Sequence, residues 1–361
     1  MAVTVVVVGG GYGGATAAKA LDDIADVVLI EPKDAFEHNV AALRAVTDPA
    51  WADRMFIPYD GLLRRGVVRR DWAVRVSEGT VELASGTVLA ADYVVLATGA
   101  RHRYPAKIGA VESADGKARL RATYRALAEA PGVLLLGAGP VGLELAGEIK
   151  SVWPSKPVTI VDPAPDLLAG RRFPAEFRAE AGAQLSALGV TLLLGTTLSS
   201  SLPTDPGEPG AFSVATESGD TIRAGIWLAC YGAMVDAGYL GPDLRAALRP
   251  DGTVAVTPSL RLPGYATVFA VGDVTALPEM KQARAAQKHA EVAAANIRSL
   301  IAGGDVVAAY EPAADAIVLP LGPKGGVTYA HEAGVLGADA TADLKSRDLF
   351  VGVYREMFGV R

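Results

Sequence analysis

The chain has 361 residues, half of them hydrophobic, and its 34 basic and 40 acidic side chains give a net charge of −6. A chain of this length is expected to form more than one domain. The acidic balance argues against nucleic acid as the main partner. A single cysteine, Cys230, excludes an internal disulfide and a Cys-x-x-Cys redox pair.

Targeting signals are not evident in the sequence. No apolar run is long enough to cross a bilayer, and the first predicted strand starts at Val3, which leaves no room for a signal peptide. We therefore expect a cytoplasmic protein whose membrane contact, where it exists, is peripheral to the inner face of the membrane.

The first 31 residues carry the strongest local pattern in the chain. An apolar strand over residues 3–8 is followed by Gly9-x-Gly11-x-x-Gly14, an alanine-rich helix and a second strand that ends at Glu31. In this pattern the first glycine permits a tight turn, the second allows backbone to approach a pyrophosphate, and the third lets helix and strand pack closely. Glu31 follows at the spacing expected for a carboxylate that binds ribose hydroxyls. The stretch predicts a dinucleotide site.

Short alternating runs occupy residues 67–98 and predict hairpin strands. They end in the apolar strand 93–96 and the turn Ala97-Thr98-Gly99.

The opening pattern occurs a second time. A strand over residues 133–136 leads into Gly137-x-Gly139-x-x-Gly142, a helix and a strand that ends at Asp162. Two such motifs in one chain predict that two nucleotides meet. Asp162 predicts a preference for NADH over NADPH, because a carboxylate accepts from the ribose 2′-OH and repels a 2′-phosphate.

A third apolar strand, over residues 268–271, ends in Gly272-Asp273, and a helix is predicted from about 281 to 301. Asp273 fits a ligand at the edge of the sheet, and it also fits a simple helix cap. Pro278 and Met280 are expected to open the long helix, and His289 within it is interpreted as a packing or capping residue.

The two glycine turns, Ala97-Thr98-Gly99 and Gly272-Asp273 together resemble the two-dinucleotide flavoprotein family of pyridine nucleotide oxidoreductases. The resemblance covers the whole chain. Further stretches are similar to its apoptosis-inducing-factor-like branch, which includes the ferroptosis suppressor proteins and is related to type II NADH dehydrogenases. These stretches are 38–45 (HNVAALRA), 147–150 (GEIK) and 345–351 (KSRDLFV).

The resemblance implies an α/β fold with two Rossmann-like dinucleotide-binding domains, as in glutathione reductase, and a small α+β C-terminal domain. The expected boundaries are 1–107 and 251–302 for an FAD-binding domain in two parts, 108–250 for an NAD(P)H-binding domain, and 303–361 for the C-terminal domain.

The implied cofactors are FAD in the first domain and NAD(P)H in the second. The expected FAD contacts are Gly9, Gly11, Gly14, Glu31, Arg44, Val74, Thr98, Asp273 and Met280, and the expected NAD(P)H contacts are Gly137, Gly139, Gly142 and Asp162. Two of these have ordinary alternatives. Arg44 fits a solvated surface arginine equally well, and Val74 fits an unremarkable strand residue.

Two catalytic residues follow from the resemblance. It implies that Glu144 lies by the nicotinamide and Lys107 lies near flavin N5, and we expect the two side chains to form an ion pair. The alternative for Glu144 is a solvated acid on a helix surface, with Glu148 one turn further on.

The last segment is expected to form the acceptor site. In the branch resembled, residues 345–350 border a quinone pocket, which implies that Phe350 and Lys345 contact the quinone. Apolar residues recur at helical spacing from Phe350 to Met357 and fit either a core-facing surface or a membrane-facing one. Four basic and two acidic side chains in residues 344–361 suit weak contact with anionic lipid. The sequence leaves the oligomeric state open, a homodimer included.

These features lead to an FAD-dependent NADH:quinone oxidoreductase as the first hypothesis. Because Cys230 cannot form a redox pair, electrons are expected to leave the flavin directly for an external acceptor. Two alternatives stay open: a reductase of a small iron–sulfur protein such as ferredoxin or rubredoxin, and an NADH-sensing flavoprotein that acts through binding partners.

Overall fold

The computed structural model describes residues 3–360. Its first part contains β1 (Thr4–Val8), α1 (Tyr12–Leu21), β2 (Asp26–Ile30), β3 (Ala35–Glu37), α2 (Ala42–Ala45), α3 (Pro49–Met55), β4 (Phe56–Pro58), β5 (Val67–Arg69), β6 (Ala73–Ser77), β7 (Thr80–Leu83), β8 (Val88–Ala90), β9 (Tyr93–Leu96) and β10 (Arg101–His102). The middle part contains α4 (Ser113–Glu129), β11 (Val133–Leu136), α5 (Pro140–Val152), β12 (Val158–Asp162), α6 (Ala175–Ala187), β13 (Val190–Leu194), β14 (Phe212–Ala215), β15 (Thr221–Ala224), β16 (Ile226–Ala229) and β17 (Ala233–Met234).

The last part contains β18 (Val268–Ala270), α7 (Ala283–Ile301), β19 (Ile317–Pro320), β20 (Gly326–Ala330), β21 (Gly334–Leu336), α8 (Ala338–Thr341), a π-helical turn (Ala342–Ser346) and α9 (Val351–Met357). Among residues 3–360, no helix combines the length and the apolar character needed to span a bilayer.

A five-stranded sheet in the order β18-β9-β1-β2-β5 is the core of the first region, and all its pairs are parallel. Val5, Val6 and Val7 of β1 are fully buried, because α1 and α7 cover one face of the sheet while β6 and β7 pack against the other. Helix α1 packs against α7, so the last part of the chain returns to this sheet with both a strand and a helix.

A second parallel sheet, in the order β13-β12-β11-β16, forms the core of the middle region. Each sheet starts from a strand, a glycine turn and a helix, so the predicted α/β class with two dinucleotide-type units is confirmed.

The C-terminal segment adds an antiparallel sheet, β19-β20-β21, followed by α8, the π-helical turn and α9. Tyr354 and Phe358 are buried, and the Phe358 ring lies 4.7 Å from the ring of Phe36 in the first region. A Cβ on Gly61 would lie 2.3 Å from the Phe358 carbonyl oxygen, so only glycine allows this close approach. The C-terminal segment is therefore packed onto the first region.

The start of the long helix differs from the prediction. Helix α7 begins at Ala283, with Gln282 as an extended N-cap residue at φ −138°. Met280 therefore lies in the preceding loop and does not open the helix. The apolar positions from Phe350 to Met357 also do not form one buried stripe, because Tyr354 faces the core while Val353 is 60% exposed.

Candidate functional site

The first glycine turn joins β1 to α1 at the carboxyl edge of the first sheet. Gly9 has φ +101°, and a Cβ there would lie 2.6 Å from the Ala97 carbonyl oxygen. A Cβ on Gly14 would lie 1.8 Å from the Gly9 carbonyl oxygen, so helix and turn meet backbone to backbone. Gly11 is different, because among the described residues no atom lies within 4 Å of its Cβ position. The chain leaves open space at the one glycine that a ligand would approach.

The space beside Gly11 suits an anion. Gly11 is the N-cap residue of α1, and within residues 3–360 no side chain caps this helix. Its first N–H groups and the helix dipole are therefore directed at the open space. Glu31, at the end of β2, accepts from Gly10 N at 2.7 Å through Oε2 and from Lys33 N at 3.0 Å through Oε1. Both oxygens keep a lone pair for ribose hydroxyls.

The second glycine turn joins β11 to α5 with the same design. Gly137 has φ +113°, a Cβ on Gly142 would lie 2.0 Å from the Gly137 carbonyl oxygen, and the Cβ position of Gly139 has no described atom within 4 Å. Asp162 accepts from Ala138 N at 2.6 Å and from Ala164 N at 2.8 Å, as Glu31 does in the first turn. Both clefts therefore have the open glycine, the uncapped helix and the oriented carboxylate that a dinucleotide needs.

Polar groups gather at the carboxyl ends of β9 and β18, beside the first turn. Thr98 is exposed just after β9, and its Oγ1 lies 2.9 Å from the Tyr239 hydroxyl. Asp273 follows β18. Lys107 donates from Nζ to the Ala100 carbonyl oxygen at 2.6 Å. Burial lowers the pKa of the Lys107 amine, and the nearby Asp273 carboxylate opposes that effect. The first cleft thus holds an acid and an amine close enough to influence each other electrostatically.

The ion pair expected between Lys107 and Glu144 is not the one that forms. Glu144 lies on the second turn of α5, where its Oε1 is 3.0 Å from Lys345 Nζ, and Lys345 Nζ also donates to the Val318 carbonyl oxygen at 3.2 Å. The physical reason is that α5 turns this face toward β19 and the π-helical turn, while Lys107 is held at Ala100. Burial raises the pKa of the Glu144 carboxyl, and Lys345 opposes the rise.

Arg44 also has a different partner from the one expected. Its Nε and Nη2 donate to Glu148, with Nη2 2.7 Å from Oε1, and its Nη1 donates to the Ser346 carbonyl oxygen at 2.5 Å. Arg44 is not a solvated surface arginine, because it is 4% exposed and each of its three nitrogens donates within the protein, and its contact with FAD stays a prediction. It joins α2 to α5 and to the π-helical turn.

Phe350 and the preceding Leu349 form a strained stretch, with φ values of 63° and 52°. This conformation is unfavourable for non-glycine residues. Leu349 is held by His38, whose Nε2 lies 2.7 Å from the Leu349 carbonyl oxygen, while His38 Nδ1 lies 3.1 Å from the Tyr12 hydroxyl. A carbonyl oxygen only accepts, so His38 carries its proton on Nε2. Burial lowers the pKa of His38 to about 4. The side chain of Phe350, next to this anchored residue, is partly exposed.

Two other residues predicted to contact FAD, Val74 and Met280, lie outside the glycine turn. Val74 is on β6, next to an irregularity in the β6–β7 pairing, and its side chain is exposed. Met280 is half-buried in the loop before α7. The contacts of these two residues with FAD stay predictions.

Sequence reasoning missed several buried polar residues that shape the site. Glu148 and His38 have partners far along the chain, and Glu279 lies between His289 and Tyr310. The signal available for Glu148 was its position one helical turn after Glu144, with apolar residues all around it. His38 opens one of the stretches that carried the resemblance but was given no role, and Glu279 carried no local signal.

The comparisons with known proteins agree with this geometry. The family model described as pyridine nucleotide-disulphide oxidoreductase matches residues 3–290. The chain is 30% identical to ferroptosis suppressor protein 1 of Xenopus tropicalis, over 97% of this chain and 94% of that protein. It is 29% identical to apoptosis-inducing factor homolog B of Dictyostelium discoideum, over 97% and 95%.

Two solved structures share the fold. NDH2 of Plasmodium falciparum, solved with NADH, has a TM-score of 0.77 at 12% identity and covers 99% of this chain and 95% of its own. The sulfide:quinone oxidoreductase of Aquifex aeolicus has a TM-score of 0.70 at 18% identity, with 99% and 92% covered. The chain belongs to the pyridine nucleotide-disulphide oxidoreductase family, in the branch that contains the ferroptosis suppressor proteins and the apoptosis-inducing factor homologues, and is an oxidoreductase that uses a flavin and a pyridine nucleotide.

Proposed function

We propose that this protein is an FAD-dependent NADH:quinone oxidoreductase. The observation that carries the proposal is that the chain has two dinucleotide clefts of the same design, and that Glu144 near the start of the second cleft's helix forms an ion pair with Lys345 of the C-terminal segment. Structural neighbours whose names include an NADH complex and a quinone oxidoreductase support it at the level of the fold.

FAD belongs in the first cleft in this proposal. Glu31 would take the adenosine ribose, the uncapped α1 terminus the pyrophosphate, and Asp273 a ribityl hydroxyl, with Thr98 at the same edge. Bound FAD supplies two-electron acceptance from a nicotinamide and onward delivery to an acceptor. Lys107, beside Asp273, would favour negative charge in this cleft.

NADH belongs in the second cleft. Both oxygens of Asp162 already accept backbone N–H groups, which fixes the carboxylate at the end of β12. A fixed carboxylate accepts from a 2′-OH and repels a 2′-phosphate, so it supports NADH over NADPH.

Lys345 and Phe350 are the proposed acceptor residues. An ammonium has three donors, and Lys345 uses one for Glu144 and one for the Val318 carbonyl oxygen. The third is available for the oxygen of a quinone. Phe350 is 38% exposed and would supply an apolar face for the ring.

The C-terminal surface supports peripheral contact with lipid. Leu344, Phe350 and Val353 are all exposed within ten residues of one another. The charge argument is weaker than the sequence suggested, because Lys345 is occupied by Glu144 and Arg347 by Asp343. The exposed apolar side chains give the stronger support for lipid contact, because such side chains insert at the boundary of head groups and acyl chains.

The test is an acceptor screen on the purified yellow protein. Denaturation should release FAD, kcat/KM for NADH should exceed that for NADPH by at least about tenfold, and a soluble quinone should be reduced faster than ferredoxin or rubredoxin. Liposomes with anionic lipid should raise turnover with a long-chain quinone. Faster reduction of an iron–sulfur carrier, or release of a flavin other than FAD, would contradict the proposal.

Variants at the acceptor site sharpen the test. Lys345→Met should lower turnover with quinone about tenfold or more, since a charged hydrogen bond is lost, and it should leave flavin reduction by NADH in a stopped-flow instrument unchanged. The control is Lys324→Met, which removes an exposed lysine from the same segment.

A further inference from the structure

His289 was interpreted from sequence as a packing or capping residue of the long helix. In the structure it is 2% exposed and does not cap α7, which begins six residues earlier. Its Nδ1 accepts from the N–H of Gly272 at 3.0 Å. Gly272 directly precedes Asp273, so the histidine holds the backbone of the turn that carries the proposed ribityl ligand.

The state of the His289 ring follows from its partners. A backbone N–H only donates, so Nδ1 must present a lone pair, and the ring proton is on Nε2. Nε2 then donates to Glu279 Oε1 at 2.6 Å. The other carboxylate oxygen of Glu279 accepts from the Tyr310 hydroxyl at 2.7 Å. Burial opposes ionisation of Glu279, yet the His289 and Tyr310 bonds hold its pKa below the usual value. The carboxylate therefore fixes the tautomer that Gly272 requires.

The turn itself depends on an anchor of this kind. Gly272 has φ +75°, and its carbonyl oxygen accepts from the backbone N–H and the hydroxyl of Thr275. A Cβ on Gly272 would lie 3.2 Å from the Cβ of Ala286 on α7. The N–H of Gly272 has one partner among the described residues, and that partner is His289.

Glu279 connects a second loop to the same histidine. It lies directly before Met280, in the segment between the Gly272 turn and α7. A single buried ring thus cross-links the two loops that flank the proposed flavin position, one at Asp273 and one at Met280.

We propose that His289 and Glu279 are positioning residues for the flavin: they hold the Gly272–Asp273 turn and the Met280 loop in the binding geometry without touching the cofactor. This rests on the proposed placement of FAD in the first cleft. A hydrogen-bonded dyad of this kind is expected to set affinity and orientation more than chemistry, since both groups lie behind the turn.

The test compares His289→Leu with His289→Asn in the holoenzyme. Leucine removes both hydrogen bonds, whereas the asparagine oxygen can still accept from Gly272 N–H. We expect His289→Leu to weaken FAD binding about tenfold, the value of one good hydrogen bond, and to change the visible circular dichroism of the bound flavin. His289→Asn should recover most of the affinity and of the spectrum.

The matched control is Asn296→Ala, two turns further along α7. Asn296 is fully buried and forms hydrogen bonds with Ser259, Val307 and Ala308, all of which lie outside the Gly272 turn. It should lower Tm while leaving FAD affinity and the flavin spectrum unchanged. Equal loss of FAD affinity in Asn296→Ala and His289→Leu, or wild-type affinity in His289→Leu, would overturn the proposal.

Hydrogen exchange separates this inference from the proposed function. In protein stripped of flavin, the peptide over residues 268–276 should exchange about tenfold faster in His289→Leu than in wild type, because the Gly272 amide loses its acceptor. If wild type binds no FAD, the proposed function fails while this readout still reports on the dyad. Unchanged exchange in His289→Leu would contradict the dyad itself.

Discussion

The two glycine-turn units share a backbone design but differ in what their helices pack against. Helix α1 of the first unit packs mainly against α7 and also contacts α9 through the ring of Tyr12. Helix α5 of the second unit carries Glu144 and Glu148, which reach Lys345 and Arg44 in other regions. The first unit is therefore packed mainly through apolar contacts, whereas the second is tied to other regions by buried ion pairs.

The backbone of α5 lies close to the C-terminal segment at Gly147. A Cβ there would lie 2.4 Å from the Cα of Leu321, so only glycine lets the helix meet the loop after β19. Together with the two ion pairs, this contact fixes how α5 faces the C-terminal segment. The difference shows that the same backbone motif can lie in an apolar core in one copy and be joined to other regions by ion pairs in the other.

The largest expected effects on nucleotide binding test the shared part of the design. Gly14→Ala should abolish flavin binding, and Gly142→Ala should lower kcat/KM for NADH on the order of 100-fold, or about 2.8 kcal/mol, because each Cβ would meet backbone within 2.0 Å. Visible absorbance and steady-state kinetics measure the two losses.

Gly11→Ala and Gly139→Ala are the matched controls, since their Cβ positions are open. They should keep the Tm of the protein and still weaken the respective nucleotide. A drop in Tm equal to that of Gly14→Ala would show that the open space is not reserved for a ligand.

The second prediction tests the interface role of α5. Glu148→Ala leaves the buried Arg44 without a counter-charge, and urea denaturation should show a loss of about 3–5 kcal/mol. Arg44→Met with Glu148→Leu should restore much of it. The exposed pair Arg70–Glu112 is the control, since Glu112→Ala should cost less than about 1 kcal/mol. Equal losses at both sites would refute the buried role.

The third prediction asks whether the C-terminal segment is tied to the first unit as well. The folded pKa of His38, about 4, lies below the unfolded value of about 6.5. The unfolded chain therefore binds more protons between these values, so stability is fully present above pH 6.5 and is lost as pH falls toward 4. The loss should total about 3 kcal/mol.

Urea denaturation at several pH values measures this loss. His38→Asn should flatten the dependence in that window, whereas His331→Asn, at an exposed position, should leave it unchanged. A wild-type curve without the decline below pH 6.5 would contradict the buried neutral histidine.

The smallest expected effect distinguishes the two acids at the strand ends. Asp162→Ala should lower kcat/KM for NADH about tenfold, with little change for NADPH and no loss of flavin, while Glu31→Ala should weaken FAD about tenfold and leave NADH unaffected. The reverse pattern would show that FAD binds in the second cleft and NADH in the first.

Sequence patterns predicted the two turns because each is encoded within about 30 residues. The glycines at 9, 11 and 14 and at 137, 139 and 142 have fixed local roles, and the structure keeps both units in the predicted class. Spacing therefore predicted the backbone geometry of both turns correctly, while the ligand roles of Glu31 and Asp162 stay predictions.

The interdomain contacts were not predictable in the same way. Helical periodicity indicates which residues share a face but not which element packs against that face, so it left a solvated acid as the alternative for Glu144 and gave no partner for Glu148. Their partners, Lys345 and Arg44, are 201 and 104 residues away along the chain. Pairing at that separation depends on how the domains pack. The wrong choice of Lys107 as the partner of Glu144 has this cause.

The π-helical turn at Ala342–Ser346 has a consequence for how this chain tolerates change. Successive residues of the turn bind different side chains: the Lys345 amine donates to Glu144, and the Ser346 carbonyl oxygen accepts from Arg44. Loss of one residue would tighten the turn to an ordinary α-helix and swing both groups around the axis by about 100°. Length in this segment is therefore under a stricter constraint than residue identity, and insertions or deletions are expected to be excluded here even where point substitutions are accepted.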